Sequence, residues 1–155
     1  MECLFDARGR SVFAVHVVRP FALSSPFEGL GFTLVLDVRD PAVTPDEQVA
    51  LSDRIVAIGC RNAAILGFKC SSWDDSIDLA NLEQFGFADI PDDRFVLTSW
   101  HTDESAEDVV EFVSRCSHAG GGEPTRFLVV CLGGSAVEYE DLRSRAAARF
   151  TSAFA

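Results

Sequence analysis

The sequence predicts one α/β domain over residues 1–155, in which a mostly parallel central sheet carries helices on both faces and an N-terminal β-hairpin lies at one edge. The first observation is that apolar segments of strand length alternate with helical segments over short links. The second is that the strand segments are apolar on both sides, which is typical of strands covered on both faces. Right-handed crossovers between such strands give three layers.

The N-terminal part predicts a hairpin over residues 3–18, with Cys3-Leu4-Phe5 as its first arm and a turn at residues 6–9. Its second arm, Ser11 to Val18, is apolar on both faces. Prolines and glycines make Arg19 to Gly31 a loop. Three apolar residues are expected to hold that loop against the body of the domain: Phe21, Leu23 and Phe27.

A regular pattern begins at Phe32, and Phe32 to Val38 reads as a strand. The next helix has three agreeing start signals, since Thr44 is an N-cap residue, Pro45 suits the first helical position and Glu47 completes a capping box. Because these signals are independent of one another, we expect this helix to begin at Pro45.

The later elements repeat this alternation. The predicted strands are Ala63–Phe68, Phe95–Ser99 and Phe127–Leu132, and the predicted helices are Trp73–Phe85, Ser105–Ser117 and a last one that follows Gly133-Gly134-Ser135 and ends at about Phe150. The helix from Ser105 has apolar residues at i, i+3, i+4 and i+7 spacing and a capping box with Asp108. Gly120-Gly121-Gly122 is predicted to form a loop after it, and Gly133-Gly134-Ser135 a tight turn rather than an anion cradle.

Charge and cysteine content narrow the functional classes. The chain has 13 Lys and Arg against 24 Asp and Glu, a net charge of −11, which opposes binding to nucleic acid or anionic membranes. Five cysteines without a C-x-x-C pair are interpreted as small buried side chains in a reducing cytoplasm, with no zinc site. No secretory signal or membrane-spanning segment is predicted, and no cofactor or metal is expected.

Parallel strands bring several polar residues to the carboxyl edge of the sheet, where α/β folds place ligands. The residues expected there are Asp37, Asp40, Lys69, Cys70, Trp100, His101 and the Gly133–Ser135 turn. If the two strands before Cys70 and His101 are neighbours, the imidazole can reach the thiol, and Asp103 or Asp74 can orient the ring. That arrangement would make Cys70 an activated nucleophile. The competing interpretation is that Cys70 packs under a helix and His101 bonds within its turn.

Acidic residues are concentrated in one part of the chain. Half of the 24 acids lie between Ser71 and Ser114, where Arg94 is the only basic residue. The negative electrostatic field of such unpaired acids favours capture of a cationic partner. A run of charged residues more commonly forms a solvated surface, however. Aromatic residues Trp73, Phe85, Phe87 and Trp100 are interleaved with it. The predicted partner-binding residues are Asp74, Asp75, Asp78, Trp100, Asp103, Glu104, Glu107, Asp108 and Glu111.

In size, acidity and absence of a catalytic motif, the chain resembles small acidic bacterial immunity proteins. The resemblance is one of general character, with no shared motif, so it transfers no residue. It implies a cytoplasmic protein that covers a toxin, often a basic nuclease, with carboxylates.

Three hypotheses follow from these features. The first is a non-enzymatic binding protein whose acidic face engages a basic protein, and a cognate toxin is the partner that the resemblance implies. The alternative is a small α/β enzyme or ligand-binding domain with a site at Cys70, His101 and Asp103. The third is a homodimer formed through an edge strand or an exposed helix.

Overall fold

One six-stranded sheet forms the centre of the protein in the computed structural model, which describes residues 1–155. The strands are β1 (Glu2–Ala7), β2 (Arg10–Val17), β3 (Phe32–Val38), β4 (Cys60–Gly67), β5 (Leu97–His101) and β6 (Arg126–Leu132). Their spatial order is β1-β2-β6-β3-β4-β5, and every neighbouring pair is parallel except β1 with β2. The predicted α/β fold with an N-terminal hairpin at one edge is confirmed.

Four helices cover the sheet in two pairs. They are α1 (Pro45–Ala57), α2 (Cys70–Gln84), α3 (Ala106–Arg115) and α4 (Ala136–Ala153), with a short 3-10 turn at Asp92–Arg94. On one face α1 packs beside α2, and on the other face α3 packs beside α4. None of these helices is long and apolar enough to cross a membrane.

The alternation of side chains along the strands builds two cores. In β6, Leu128 and Val130 face the α1–α2 side, whereas Phe127 and Val129 face the α3–α4 side, and all four are buried. All of β3 is buried as well. Full burial of side chains of this size contributes about 1.5–3 kcal/mol each, so the central strands contribute substantially to stability. The loop after β2 adds to the α1–α2 core through Phe21, Leu23 and Phe27, as predicted.

Helix starts follow the sequence signals at three of four positions. Capping boxes are formed at α1 by Thr44 with Glu47, at α3 by Ser105 with Asp108, and at α4 by Ser135 with Glu138. The first two were predicted. The start of α2 differs, because Lys69 precedes it with left-handed backbone (φ 53°) and makes no side-chain cap bond.

One difference from the predicted boundaries changes where site residues lie: β5 runs from Leu97 to His101 instead of Phe95 to Ser99. Asn81 of α2 accepts from the Val96 N–H at 2.9 Å and donates to the Arg94 carbonyl at 3.2 Å. Because a side chain satisfies the backbone there, pairing with β4 starts only at Leu97. Trp100 and His101 are therefore strand residues, and the prediction that they follow the strand was wrong.

Other boundaries differ as well. β4 begins at Cys60 and α2 at Cys70, each three residues before the predicted start, and α3 ends at Arg115, before the glycine loop. Because α2 begins earlier, Cys70 belongs to its first turn rather than to the connection before it.

Candidate functional site

The carboxyl edge of the sheet contains a pocket of about 270 Å³ that brings together the residues of the predicted nucleophilic site. Its lining is Asp37, Arg39, Leu66, Gly67, Cys70, His101, Thr102, Asp103 and Glu104. The strand before Cys70, β4, pairs with β5, which ends at His101. The prediction that these side chains converge at one edge is thus confirmed.

The hydrogen bonds within the pocket do not form the predicted dyad. Nδ1 of His101 donates to Oε2 of Glu104 at 2.6 Å, and its Nε2 lies 3.0 Å from Oγ of Ser99. The ring also packs against Phe112 of α3, with centroids 5.0 Å apart. With both nitrogens engaged elsewhere, the imidazole has no free position with which to accept a proton from a thiol.

Cys70 lies in the first turn of α2, on the other side of the sheet from His101. Its Sγ has Oγ1 of Thr102 as hydrogen-bond partner, at 3.8 Å. The carboxylate on the His101 ring belongs to Glu104, three residues along the chain, so the role expected of Asp103 was wrong. Asp74 was the other candidate for that role. It lies on α2, on the face of the sheet opposite to His101. The competing interpretation, a packed Cys70 and a locally bonded His101, is what the structure shows.

Alkylation tests this conclusion. Cys3 is exposed, whereas Cys70 is buried and has no adjacent base. At pH 7.5, iodoacetamide should therefore modify Cys70 at least about tenfold more slowly than Cys3, as peptide mass spectrometry can measure. A Cys3→Ser variant serves as the control for peptide assignment. Faster modification at Cys70 than at Cys3 would restore the nucleophilic hypothesis.

An ion pair that the sequence did not predict lies at the base of the same pocket. Asp37 is fully buried, and its Oδ2 accepts from Arg39 Nε at 2.8 Å and from Nη2 at 2.7 Å. Its other oxygen, Oδ1, has no hydrogen-bond partner. Burial raises the pKa of Asp37 despite the opposing effect of Arg39. The only sequence signal for this pair was a basic residue two positions after an aspartate within an apolar strand.

The crevice where this type of fold usually binds ligands is closed. It lies between β3 and β6, because the connections that follow these two strands leave toward opposite faces. The Leu132 carbonyl accepts from the N–H of Arg39 at 2.9 Å and of Asp40 at 3.1 Å. A Cβ on Gly133 would lie 2.4 Å from Cβ of Asp40. The Gly133–Ser135 segment is thus a tight turn packed against the other connection, as predicted.

The acidic residues of α3 are largely neutralised, contrary to prediction. Glu107 pairs with Arg145 at 3.5 Å, and Glu111 pairs with Arg115 at 2.6 Å and with Arg149. The side chain of Asp108 is used in the capping box. The arginines of α4 are distant in sequence but adjacent in space, because α3 and α4 pack side by side.

The acidic residues of α2 have no basic partner. Asp78 accepts from the Thr98 hydroxyl at 2.8 Å, Asp75 is exposed, and Asp74 is buried with Oδ1 unpartnered. Burial, together with repulsion from neighbouring carboxylates, raises the pKa of both Asp74 and Asp78. Since α2 and α3 lie on opposite faces, the nine predicted partner-binding residues do not share one surface.

Exposed hydrophobic side chains accompany the α2 carboxylates. Seven of the thirteen large hydrophobic side chains that are exposed lie between Phe68 and Trp100, and Trp100 itself is 55% exposed. β5 pairs only with β4, so its outer edge is free. Trp73, by contrast, is buried in the core and cannot be an anchor. We call the outward side of α2 together with the free edge of β5 the edge surface; it contains Asp75, Asp78, Leu79, Leu82, Leu97 and Trp100.

Comparison with known proteins identifies a family but no characterised relative. No curated protein and no solved structure matches the chain. The family model that does match is DUF7684, described as a domain of unknown function, and it covers residues 12–149, from β2 to the last turns of α4. The chain therefore belongs to the DUF7684 family.

Proposed function

We propose that this chain is a non-enzymatic protein-binding domain whose edge surface engages a basic protein. The observation that carries this proposal is the free edge of β5, where an exposed Trp100 lies beside α2 carboxylates that have no basic partner. The partner-binding surface that was predicted from the sequence is thereby limited to the acidic side of α2 and the neighbouring edge of β5.

The geometry of β5 suits addition of an extended segment. The outward N–H and C=O groups of an edge strand can pair with another strand, which supplies affinity without sequence specificity. Thr98 and Trp100 point to the α2 side of β5, as shown by the bond from Thr98 to Asp78 and by strand alternation. A strand added at this edge would therefore place its own side chains against Trp100 and the α2 carboxylates.

The charge of the surface favours a cationic partner. Three carboxylates lie within two turns of α2, those of Asp74, Asp75 and Asp78. No arginine or lysine forms an ion pair with any of them. A lysine or arginine brought to this cluster would supply the missing counter-charge and lower the raised pKa of Asp74 and of Asp78. The general resemblance to immunity proteins makes a basic toxin the first class of partner to test, in a cytoplasm that keeps the five free cysteines reduced.

The alternative of an enzyme at the carboxyl-edge pocket has less support. Its histidine is committed to Glu104 and Ser99, and its thiol has only a hydroxyl beside it. The imidazole lies beside the Ser99 hydroxyl and not beside the Cys70 thiol, so the thiol that was predicted to be the nucleophile has no adjacent base.

The first test is capture of a partner by the immobilised wild-type protein at low and high salt. We expect a basic protein to bind, and Trp100→Ala to weaken its affinity about 30-fold, since a central tryptophan typically contributes 2 kcal/mol or more. Phe112→Ala removes an exposed aromatic residue of the opposite face and should change affinity less than about threefold. Equal losses in both variants would contradict the assignment, as would the absence of any salt-sensitive partner.

Charge reversal tests the electrostatic part separately. Asp75→Lys with Asp78→Lys should slow association about tenfold or more at low salt, because steering acts mainly on the association rate. Asp141→Lys makes the same kind of charge change on α4 and should have a much smaller effect. If the edge surface instead binds a second copy of this chain, Trp100→Ala will convert a dimer into a monomer in sedimentation experiments.

Asp74 offers a test that needs no partner. The pKa of this buried carboxyl group is raised, so its ionisation opposes folding. The resulting loss of stability begins near the ordinary pKa of 3.8 and grows as pH rises through the raised pKa of the folded state. Asp74→Asn should therefore raise the free energy of unfolding at pH 7 by about 0.5–1 kcal/mol, and by less at pH 4. Urea denaturation at both pH values measures this difference. A destabilised variant at pH 7 would show that the carboxylate serves the fold rather than a partner.

A further inference from the structure

A pocket of about 480 Å³ lies at the amino edge of the sheet, away from both surfaces described above. It is formed at the starts of β3, β4 and β6, by the 3-10 turn and by the loop after α3. No hydrophobic side chain lines it. Its lining is Gly31, Arg61, Asp92, Asp93, Arg94, His118, Gly120, Gly121, Glu123, Thr125 and Arg126.

The three arginines of this pocket lack carboxylate partners. Seven of the other nine arginines form ion pairs, and the remaining two, Arg8 and Arg54, donate to main-chain carbonyls. The Arg61 guanidinium donates only to the Cys60 carbonyl, at 2.8 Å, and the guanidinium groups of Arg94 and Arg126 donate to no protein group. The chain has 24 acidic residues, and most of its arginines pair with one of them. Three guanidinium groups without a carboxylate partner in one pocket are therefore unusual for this protein.

These groups affect one another across the pocket. Burial lowers the pKa of Arg61, and the charge of Arg94 lowers it further. Burial likewise lowers the pKa of His118, with further contributions from Arg61 and Arg126. Nε2 of His118 lies 3.0 Å from Oγ1 of Thr33. The positive charges of these arginines therefore act on Arg61 and His118 across the pocket, and a bound anion would reduce this repulsion.

The acids of the lining offset these positive charges only in part, since Asp93 acts on Arg61 without forming an ion pair with it. Glu123 is bonded to Arg10 at 2.7 Å, and Asp92 and Asp93 belong to the exposed 3-10 turn, more than 4 Å from any guanidinium nitrogen. Helix C-termini gather at this edge as well, but no arginine of the pocket donates to a carbonyl of a helix. The arginines are thus free to bind a ligand.

We propose that this pocket binds a phosphorylated small molecule, whose phosphate oxygens accept hydrogen bonds from Arg61, Arg94 and Arg126. Guanidinium groups match phosphate geometry with paired N–H donors. The volume is in the range of small-ligand sites, about 300–1,000 Å³. The pocket has no phenylalanine, tyrosine or tryptophan side chain on which a base could stack, and the net charge of −11 opposes a nucleic acid. A compact phosphate compound without a base fits these features.

Calorimetry of the full chain tests this with three probes: inorganic phosphate, pyrophosphate and glucose 6-phosphate. At least one should bind with a dissociation constant below about 1 mM at 0.15 M salt. Arg61→Gln, Arg94→Gln and Arg126→Gln should each weaken that binding about tenfold or more, since each removes charge-assisted hydrogen bonds. Arg145→Gln, which changes an arginine of α4, is the matched control and should weaken it less than twofold.

The nature of the preferred probe identifies the source of the phosphate. Tighter binding of glucose 6-phosphate would indicate an organic phosphate, and tighter binding of inorganic phosphate or pyrophosphate would indicate the free anion. Absence of binding by all three probes would overturn the proposal, as would glutamine variants that bind like the control. Binding of a single-stranded oligonucleotide that depends on these arginines, without binding of the small probes, would also overturn it.

A second measurement uses the unaltered protein, so it does not depend on how the variants fold. The pKa of His118, followed by NMR, should rise when the preferred probe is bound, because the anion offsets Arg61 and Arg126. The charged groups that line the pocket with His118 are Arg61, Arg94, Arg126, Asp92, Asp93 and Glu123. An unchanged His118 pKa at saturation would place the anion elsewhere. Trp100→Ala should leave phosphate binding intact, which separates this site from the edge surface.

Discussion

Replacing Gly67 by alanine is expected to lower the free energy of unfolding by about 3 kcal/mol or more. Gly67 ends β4 beside Val38 of β3, with a backbone φ of +89°. A Cβ there would lie 2.2 Å from the Val38 carbonyl oxygen, far inside van der Waals contact. The clash is with backbone at the carboxyl ends of β3 and β4, so these strand ends would have to separate to relieve it.

A second glycine variant separates the clash from the backbone conformation. Gly86 has φ +59°, and a Cβ there would meet nothing within 4 Å. Gly86→Ala should therefore cost only the conformational part, about 1–2 kcal/mol. Urea denaturation of both variants measures the difference. Equal costs at the two positions would show that the packing of Val38 against Gly67 is not tight.

Replacing Arg39 by alanine should be the next most damaging change, at about 2–3 kcal/mol at pH 7. The substitution leaves the fully buried Asp37 without its only counter-charge. Removing one member of a buried ion pair usually costs about 3–5 kcal/mol, and we expect less here because the Arg39 side chain is 39% exposed and partly screened. Arg115→Ala, which breaks an exposed pair with Glu111, should cost less than about 1 kcal/mol.

The cost at Arg39 should also depend on pH. Burial holds the pKa of Asp37 above its ordinary value of 3.8. The contribution of this one residue to stability is therefore greatest below pH 3.8 and is lost as pH rises through the pKa of the folded state. Without Arg39 the folded pKa rises further, and the loss continues to higher pH. The difference between Arg39→Ala and wild type should accordingly be smaller at pH 5 than at pH 7 in urea denaturation. A pH-independent difference would mean that Asp37 is already neutral in the wild type.

The fold could be predicted largely because its signals are local. Thr44, Pro45 and Glu47 specify the start of α1 within four residues, and the apolar stripe of α3 specifies which side is buried. The start of β5 could not be predicted in this way. It depends on Asn81, a helix residue that occupies the backbone of Val96 and so delays strand pairing.

The site was less predictable because it depends on contacts between distant parts of the chain. The sequence places Cys70 and His101 at one edge, but the side of the sheet that each faces depends on the register of β5 with β4. The ion pairs could not be predicted for the same reason, since Glu111 pairs with Arg149 only because α3 packs against α4. The arginine pocket was missed for this reason as well, because Arg61, Arg94 and Arg126 come from three separate segments.

The ion pairs between α3 and α4 also determine how charge is distributed over the molecule. Because Arg145 and Arg149 offset Glu107 and Glu111, negative charge is reduced on that face of the sheet, while α2 on the other face keeps its charge. Such an imbalance gives the molecule an electric dipole moment across the sheet. In the field of a cationic body the protein would rotate to present α2 before any contact forms, and this alignment would weaken at separations beyond the Debye length, about 8 Å at physiological salt.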